Sequence, residues 1–219
     1  LWKLKASNTQ IHYEVIAELP YPEPIDVNLV RMKIKKGKVA RGKGKLLYEP
    51  AYYKSLLSTY LRLDVDLGKD YTQWKAAHKH FASNTTDTES LITQLNQDVV
   101  ENIFSFICSQ NNHITRISML VEKLCSNFGE KICDYEGREI FAFPTLEALN
   151  KEEDIENKLR ELGFGYRAKF IQASAREIME KGGLKWLQEI QNMKYPDAHN
   201  ELTKLTGIGP KVADCICLM

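Results

Sequence analysis

The sequence predicts an α+β fold in which a helical domain follows part of a small β-rich domain. Three observations carry this. Near the start, Ile11, Tyr13 and Val15 alternate with His12 and Glu14 at the period of a half-buried strand. From about residue 50 onward, apolar residues recur at helical spacing. Finally, Leu205-Thr206-Gly207-Ile208-Gly209-Pro210-Lys211 reads as a tight glycine hairpin joining two helices. The expected division is a partial N-terminal α/β domain over 1–90 and a helical domain over 91–219.

Taken in order, the strand signal ends at Pro20, Pro22 and Pro24, which break the alternation. The stretch from Val27 to Tyr48 then holds eight basic residues (Arg31, Lys33, Lys35, Lys36, Lys38, Arg41, Lys43, Lys45) and no acidic one. Its glycines and lysines predict a mobile surface loop or insertion, read either as a phosphate tether or as a solvated loop. Leu91, Ile92, Leu95, Val99, Ile103, Phe104 and Ile107 predict two helices split near Asp98. A helix from His113 to Phe128 is expected to stop at Gly129, and another from Pro144 to Leu162 to start at the capping residue Thr145. Further helices run from Gly165 to the stop at Gly182-Gly183, through Trp186, Leu187 and Ile190, and through Ala198, Leu202 and Leu205.

Composition narrows the function classes. The net charge is +1, and outside the basic stretch 22 basic residues face 29 acidic ones, so attraction to a polyanion must come from local patches and helix ends. The five cysteines match neither a disulfide framework nor a metal cage, and no apolar run approaches membrane length. A soluble protein of a reducing intracellular compartment is the expectation. Because the chain begins without Met and stops at Cys217-Leu218-Met219 inside a running helix, both ends are expected to be missing.

The hairpin carries the chemistry. Gly207 and Gly209 lack a Cβ, so the turn can take positive φ and admit a phosphate to the amides that open the next helix. Lys211 places a primary amine at that helix start, where the dipole disfavours the ammonium; a deprotonated amine can attack a sugar carbon and form a Schiff base. Ser109-Gln110-Asn111-Asn112-His113 is a polar break between apolar helices. Asn111 and Asn112 either cap the next helix, the favoured reading, or pair with base edges. Arg116 lies one turn further on. Tyr166 and Arg167, just after Gly163 and Gly165, form either a wedge that stacks on bases or a core tyrosine beside a solvated arginine.

These segments resemble the eukaryotic 8-oxoguanine DNA glycosylases of the helix-hairpin-helix superfamily. The resemblance rests on Tyr60-Leu61-Arg62-Leu63-Asp64-Val65, on Phe104-Ser105-Phe106-Ile107-Cys108-Ser109 with the Asn pair, on Leu159 to Ala168, and on Gly209 to Met219. The fold it implies is a helix-hairpin-helix glycosylase domain preceded by part of a small β-rich domain. It implies base-excision repair: Lys211 attacks C1′ of the damaged nucleotide, expels 8-oxoguanine opposite cytosine and cleaves the strand by β-elimination. It implies that Asn111 fills the space left by the flipped base, that Arg116 and Arg167 read the orphaned cytosine, that Tyr166 wedges beside it, and that Cys215 lies against the flipped base. Asn112 belongs to the same base-contacting loop, in which His113 replaces a third Asn, whereas Cys217 is expected to be a structural thiol. A structural cation at the carbonyls of Thr203, Leu205 and Ile208 is also implied, with no other cofactor.

The partner implied is duplex DNA bearing 8-oxoguanine opposite cytosine, met by a monomer in the nucleus and also in the mitochondrion, with no membrane. In the family the catalytic aspartate lies in a Val-Asp-Val-His-like segment beyond the hairpin, so Asp214 is not that residue. The late aromatic and glutamine and the early glycine that contact the oxidised base are not found either, so weak or no activity is expected of this chain. Two other readings stay open: a non-catalytic helix-hairpin-helix DNA-binding fragment, and another glycosylase of the superfamily carrying an iron–sulfur cluster.

Overall fold

The computed structural model describes residues 1–7, 10–19, 47–85, 94–151 and 154–219. Most of the basic stretch, the three prolines that precede it, Leu91 and Ile92 lie outside the described residues. By packing, the chain divides into one unit of Leu1–Leu19 with Asp98–Met219 and a second of Pro20–Gln97. The opening hairpin thus groups with the helical domain rather than with the segment that follows it in sequence.

That hairpin pairs β1 (Trp2–Ala6) antiparallel with β2 (Ile11–Val15), in the register Leu4↔Tyr13. In the second unit, Pro50 starts α1 (Pro50–Tyr60) at a position where a missing N–H costs nothing. Leu47 and Tyr48, the last residues of the predicted surface loop, are buried instead. Tyr48 stacks on Tyr52 at 4.3 Å between centroids, and its amide donates to Tyr53 Oη at 3.0 Å. Next come α2 (Leu67–Ala77), capped by Asp66, and α3 (Lys79–Asn84).

The helical domain is organised around α4 (Val99–Ser109), which packs against α5 (Ile114–Phe128), α8 (Arg167–Glu180) and α11 (Pro210–Leu218). Val100, Ile103, Phe104, Ile107 and Cys108 share the buried stripe of α4, with Ile103, Phe104 and Ile107 fully inside. Asp98 Oδ1 accepts the amides of Val100 and Glu101, both at 3.0 Å, so the expected break at Asp98 is an N-cap. No helix precedes it over Gln94–Gln97, and Leu95 is a half-buried residue of extended chain.

A further correction concerns local chemistry. After α5 the chain forms a second antiparallel hairpin, β3 (Lys131–Tyr135) and β4 (Arg138–Phe141), in a region expected to hold no strand. Glu136 and Gly137, both at positive φ (50° and 77°), make its two-residue turn. Gly129 ends α5 as expected, with an ordinary φ of −87°. The physical reason for glycine there is space: a Cβ would stand 1.9 Å from the carbonyl oxygen of Ala142.

The helix predicted over 144–162 is two: α6 (Leu146–Asn150), capped by Thr145 Oγ1 on the amide of Ala148 at 3.2 Å, and α7 (Ile155–Glu161). Burying Leu146 and Leu149 from one and Ile155 and Leu159 from the other needs a bend that one straight helix would not give. After α8 come α9 (Leu184–Gln191) and α10 (Tyr195–Leu202), which leads into the glycine hairpin and α11. Among the described residues no helix is long and apolar enough to cross a membrane.

Candidate nucleic-acid interface

The hairpin between α10 and α11 is pinned from inside and behind. Leu205 and Ile208 are buried anchors on either side of Gly207. Gly207 takes φ 85°, and a Cβ there would meet Phe170 Cγ at 2.5 Å, so this position requires glycine twice over. Gly209 does not share that need: its φ is −89°, and a Cβ built on it meets nothing within 4 Å. The expectation of positive φ at both glycines therefore holds for Gly207 alone, and Gly209 offers open space. From α8, Glu177 accepts the amide of Thr206 at 2.9 Å and its hydroxyl at 2.5 Å, while Ser174 Oγ donates to the Thr206 carbonyl.

Gly209 caps α11 and Pro210 occupies its first position. Since proline has no N–H, the first-turn amides without a helical acceptor are those of Lys211 and Val212. Both residues line an open cleft of about 680 Å³ together with Ser109, Gln110, Asn111, Asn112, His113 and Arg116. Lys211 is exposed, and its ammonium nitrogen lies 5.4 Å from the centroid of Phe106. The predicted lysine and the predicted base-contacting loop, about a hundred residues apart in sequence, thus form one concave surface.

The loop itself differs from the capping reading. His113 is the N-cap of α5 and makes no side-chain cap bond, so neither asparagine caps that helix. Asn112 closes the preceding one, its Nδ2 donating to the Cys108 carbonyl at 2.9 Å. Asn111 stands exposed at φ 46°, a conformation that asparagine tolerates better than most residues, and so presents its amide on the cleft wall. Arg116 Nη2 reaches the Gly163 carbonyl at 3.4 Å. It also borders a second hollow with Lys123, whose Nζ donates to the Leu162 carbonyl at 2.8 Å.

Tyr166 and Arg167 invert the core-tyrosine, solvated-arginine alternative. Tyr166 is exposed, whereas Arg167 is 4 % accessible. The guanidinium of Arg167 lies 4.6 Å from the Tyr166 ring centroid. Its Nε donates to the Gln110 carbonyl at 3.0 Å, Nη2 bonds the same oxygen, and Nη2 reaches the Asn111 carbonyl at 3.3 Å. Tyr166 Oη adds a longer contact of 3.4 Å to the Gln110 carbonyl. An arginine held from behind in this way is a rigid donor fork rather than a mobile charge.

Sequence reasoning passed over Gln110, whose side-chain Nε2 donates to the Gly207 carbonyl at 2.5 Å. Its only signal was membership of the polar run Ser109–His113. Cys215, one turn beyond Lys211, is half-buried and is not among the cleft-lining residues. Asp214 turns to α10, accepting Tyr195 Oη at 2.6 Å with His199 Nε2 at 3.3 Å; the bond to Asp214 and partial desolvation raise the Tyr195 phenol above its ordinary range. Burial, reinforced by Asp214, raises the Cys217 thiol, and burial pushes Cys108 up to about 12. Among the described residues no three His, Cys, Asp or Glu side chains gather as a metal-binding group. Of the hairpin carbonyls considered for a cation, that of Leu205 already accepts the Ile208 amide at 3.1 Å, keeping one lone pair.

Both the sequence and the fold have known relatives. Residues 104–210 match the HhH-GPD superfamily of base excision DNA repair proteins, and residues 1–103 match the N-terminal domain of 8-oxoguanine DNA glycosylase. The chain is 41 % identical over 175 residues to an N-glycosylase/DNA lyase of Saccharomyces cerevisiae, and 39 % identical over 126 residues to the Arabidopsis thaliana N-glycosylase/DNA lyase OGG1. Those alignments take in 76 % and 57 % of this chain but 46 % and 34 % of the relatives, so the chain spans less than half the length of either. Its fold matches the Clostridium acetobutylicum 8-oxoguanine glycosylase/lyase solved with double-stranded DNA containing cytosine opposite 8-oxoG. The TM-score is 0.67 at 30 % identity, over 78 % of this chain and 57 % of that one. With two contiguous family matches across residues 1–210 and a lysine-bearing hairpin set against an asparagine–arginine loop, the chain belongs to the 8-oxoguanine DNA glycosylase branch of the HhH-GPD superfamily.

Proposed function

We propose that this chain supplies the lysine cleft of a DNA glycosylase with lyase activity that removes 8-oxoguanine opposite cytosine. The observation that carries the reading is Lys211 opening α11 on the wall of a cleft whose far side is Asn111, Asn112 and Arg116. A phosphate of the lesion strand would take the first-turn amides of Lys211 and Val212, the contact that a helix N-terminus offers any anion. Extruding a base costs a few kcal/mol, which filling the hole with Asn111 and pairing the widowed cytosine with the Arg116 and Arg167 forks would offset. Tyr166, exposed beside Arg167, would wedge the stack open.

In the reaction, the lone pair of the neutral Lys211 amine forms a bond to C1′ as the glycosidic bond breaks; the base leaves with the electron pair of the glycosidic bond and takes up a proton. Opening of the sugar ring gives a Schiff base between Nζ and C1′. Loss of a C2′ proton then expels the 3′ phosphate, which cuts the strand. Cys215 near the base, a cation at the carbonyls of Thr203, Leu205 and Ile208, and action by a monomer in the nucleus or the mitochondrion are parts of the same proposal.

Borohydride reduction of the Schiff base tests it. The protein in full-length form, incubated with duplexes carrying 8-oxoguanine or an abasic site opposite cytosine, should give a covalent protein–DNA adduct on reduction. Lys211→Gln should give none, and an unchanged yield from that variant would reject Lys211 as the nucleophile.

A further inference from the structure

We infer that Gln110 is a positioning residue that makes Schiff-base formation at Lys211 depend on the base opposite the lesion; this rests on the proposed lyase reading. Gln110 does two jobs with different atoms. Its side-chain Nε2 donates to the Gly207 carbonyl at 2.5 Å, the one side-chain hydrogen bond among the described residues between the loop over Ser109–His113 and the hairpin. Its main-chain carbonyl, on the other side, accepts Arg167 Nε at 3.0 Å, Arg167 Nη2 and, more loosely, Tyr166 Oη at 3.4 Å.

Arg167 is buried and has no acidic partner among the described residues, so main-chain carbonyls hold its charge, that of Gln110 foremost. Arg167 Nη1 makes only a long contact, 3.5 Å to the Phe164 carbonyl, and a base that took this nitrogen would draw the guanidinium away from the Gln110 carbonyl. Movement of that peptide loads the Nε2 bond that ties residue 110 to the Gly207 carbonyl, and Gly207 sits four residues before Lys211. A glutamine needed only to finish a surface loop could turn to water at the rim of the open cleft; this one donates inward.

The test is the rate of borohydride trapping on four duplexes with an abasic site opposite C, A, G or T, for the full-length protein without substitution and with Gln110→Met. Methionine keeps the length and most of the volume but cannot donate, and the Gln110 carbonyl stays in place. Trapping by the unsubstituted protein should favour cytosine, and in Gln110→Met the ratio of the C rate to the A rate should fall about fivefold, the equivalent of about 1 kcal/mol for one hydrogen bond. Gln110→Asn, too short to reach Gly207, should behave like the methionine variant. A ratio held within twofold, or a drop of equal size opposite all four bases, overturns the inference, because a purely structural residue would lower every rate alike. Absence of any adduct from the full-length protein without substitution would instead overturn the lyase reading underneath it.

Discussion

Alanine at Gly207 and alanine at Gly209 separate the two uses of glycine in this hairpin. At Gly207, φ is 85° and an added Cβ would lie 2.5 Å, 2.6 Å and 2.9 Å from Cγ, Cβ and Cδ2 of Phe170. Left-handed backbone costs an L-residue about 1–2 kcal/mol, and pushing a packed ring aside about 1–3 kcal/mol. Gly207→Ala should therefore lose about 2–5 kcal/mol out of the roughly 5–15 kcal/mol that holds a domain together. At Gly209, φ is −89° with ψ 175°, where any residue is at ease, and a Cβ meets nothing within 4 Å. Gly209→Ala should leave the fold intact and add about 0.4–1 kcal/mol by restricting the unfolded chain. Yet its methyl group would occupy the space a phosphate needs at the mouth of α11. Displacing one charge-assisted amide–phosphate bond costs about 1.5–3 kcal/mol, so duplex affinity should weaken roughly tenfold to a hundredfold. Urea unfolding followed by circular dichroism reads the first quantity, and fluorescence anisotropy of a labelled duplex at fixed salt the second. Wild-type affinity in Gly209→Ala, or wild-type stability in Gly207→Ala, would refute this account of the hairpin.

Other consequences are as direct. Gly129→Ala sets a Cβ 1.9 Å from a main-chain oxygen that cannot swing away, so it should cost about 3 kcal/mol or more and lower the melting temperature without touching the cleft. Burial raises the Cys108 thiol to about 12, opposed by the nearby Arg167 guanidinium, while in the unfolded chain the thiol ionises near its ordinary value. The sign follows from the raised folded value: the contribution is complete below the unfolded pKa and is lost as pH climbs from about 9 towards 12. Urea titrations across that range should show falling stability, with a shallower slope in Cys108→Ala. At pH 8 iodoacetamide should leave Cys108 unmodified in the folded protein, read by mass spectrometry of tryptic peptides.

The parts of this molecule that sequence revealed are those whose local chemistry and long-range packing agree. The stripe of α4, the Thr145 cap and the Gly182-Gly183 stop follow from spacing and capping alone. So does the positive φ of Gly207. What failed were places where one residue type serves two physical purposes. Asn112 looks like an N-cap but closes the helix behind it, and Gly129, which does end α5, is glycine for a reason hidden from local pattern, the close approach of the Ala142 carbonyl. The β3–β4 hairpin was legible in principle, since Cys133 pairs with Ile140 across a Glu136-Gly137 turn, but helical periodicity on both sides masked strands of five and four residues. For the candidate site, the resemblance supplied the roles and the fold supplied the meeting of Lys211 with the asparagine loop. Gln110 was invisible because a hydrogen bond spanning 97 residues leaves no local signature.

Glu177 gives the hairpin a back. Its carboxylate occupies both donors of Thr206, so that amide is closed to any outside anion, and a negative charge stands on the α8 side of the turn. A polyanion meeting this turn finds repulsion behind it and the amides of Lys211 and Val212 in front. Under the proposed function the lesion strand therefore has a single side on which to cross, and an acidic residue that touches no DNA decides from which direction the sugar comes to the lysine.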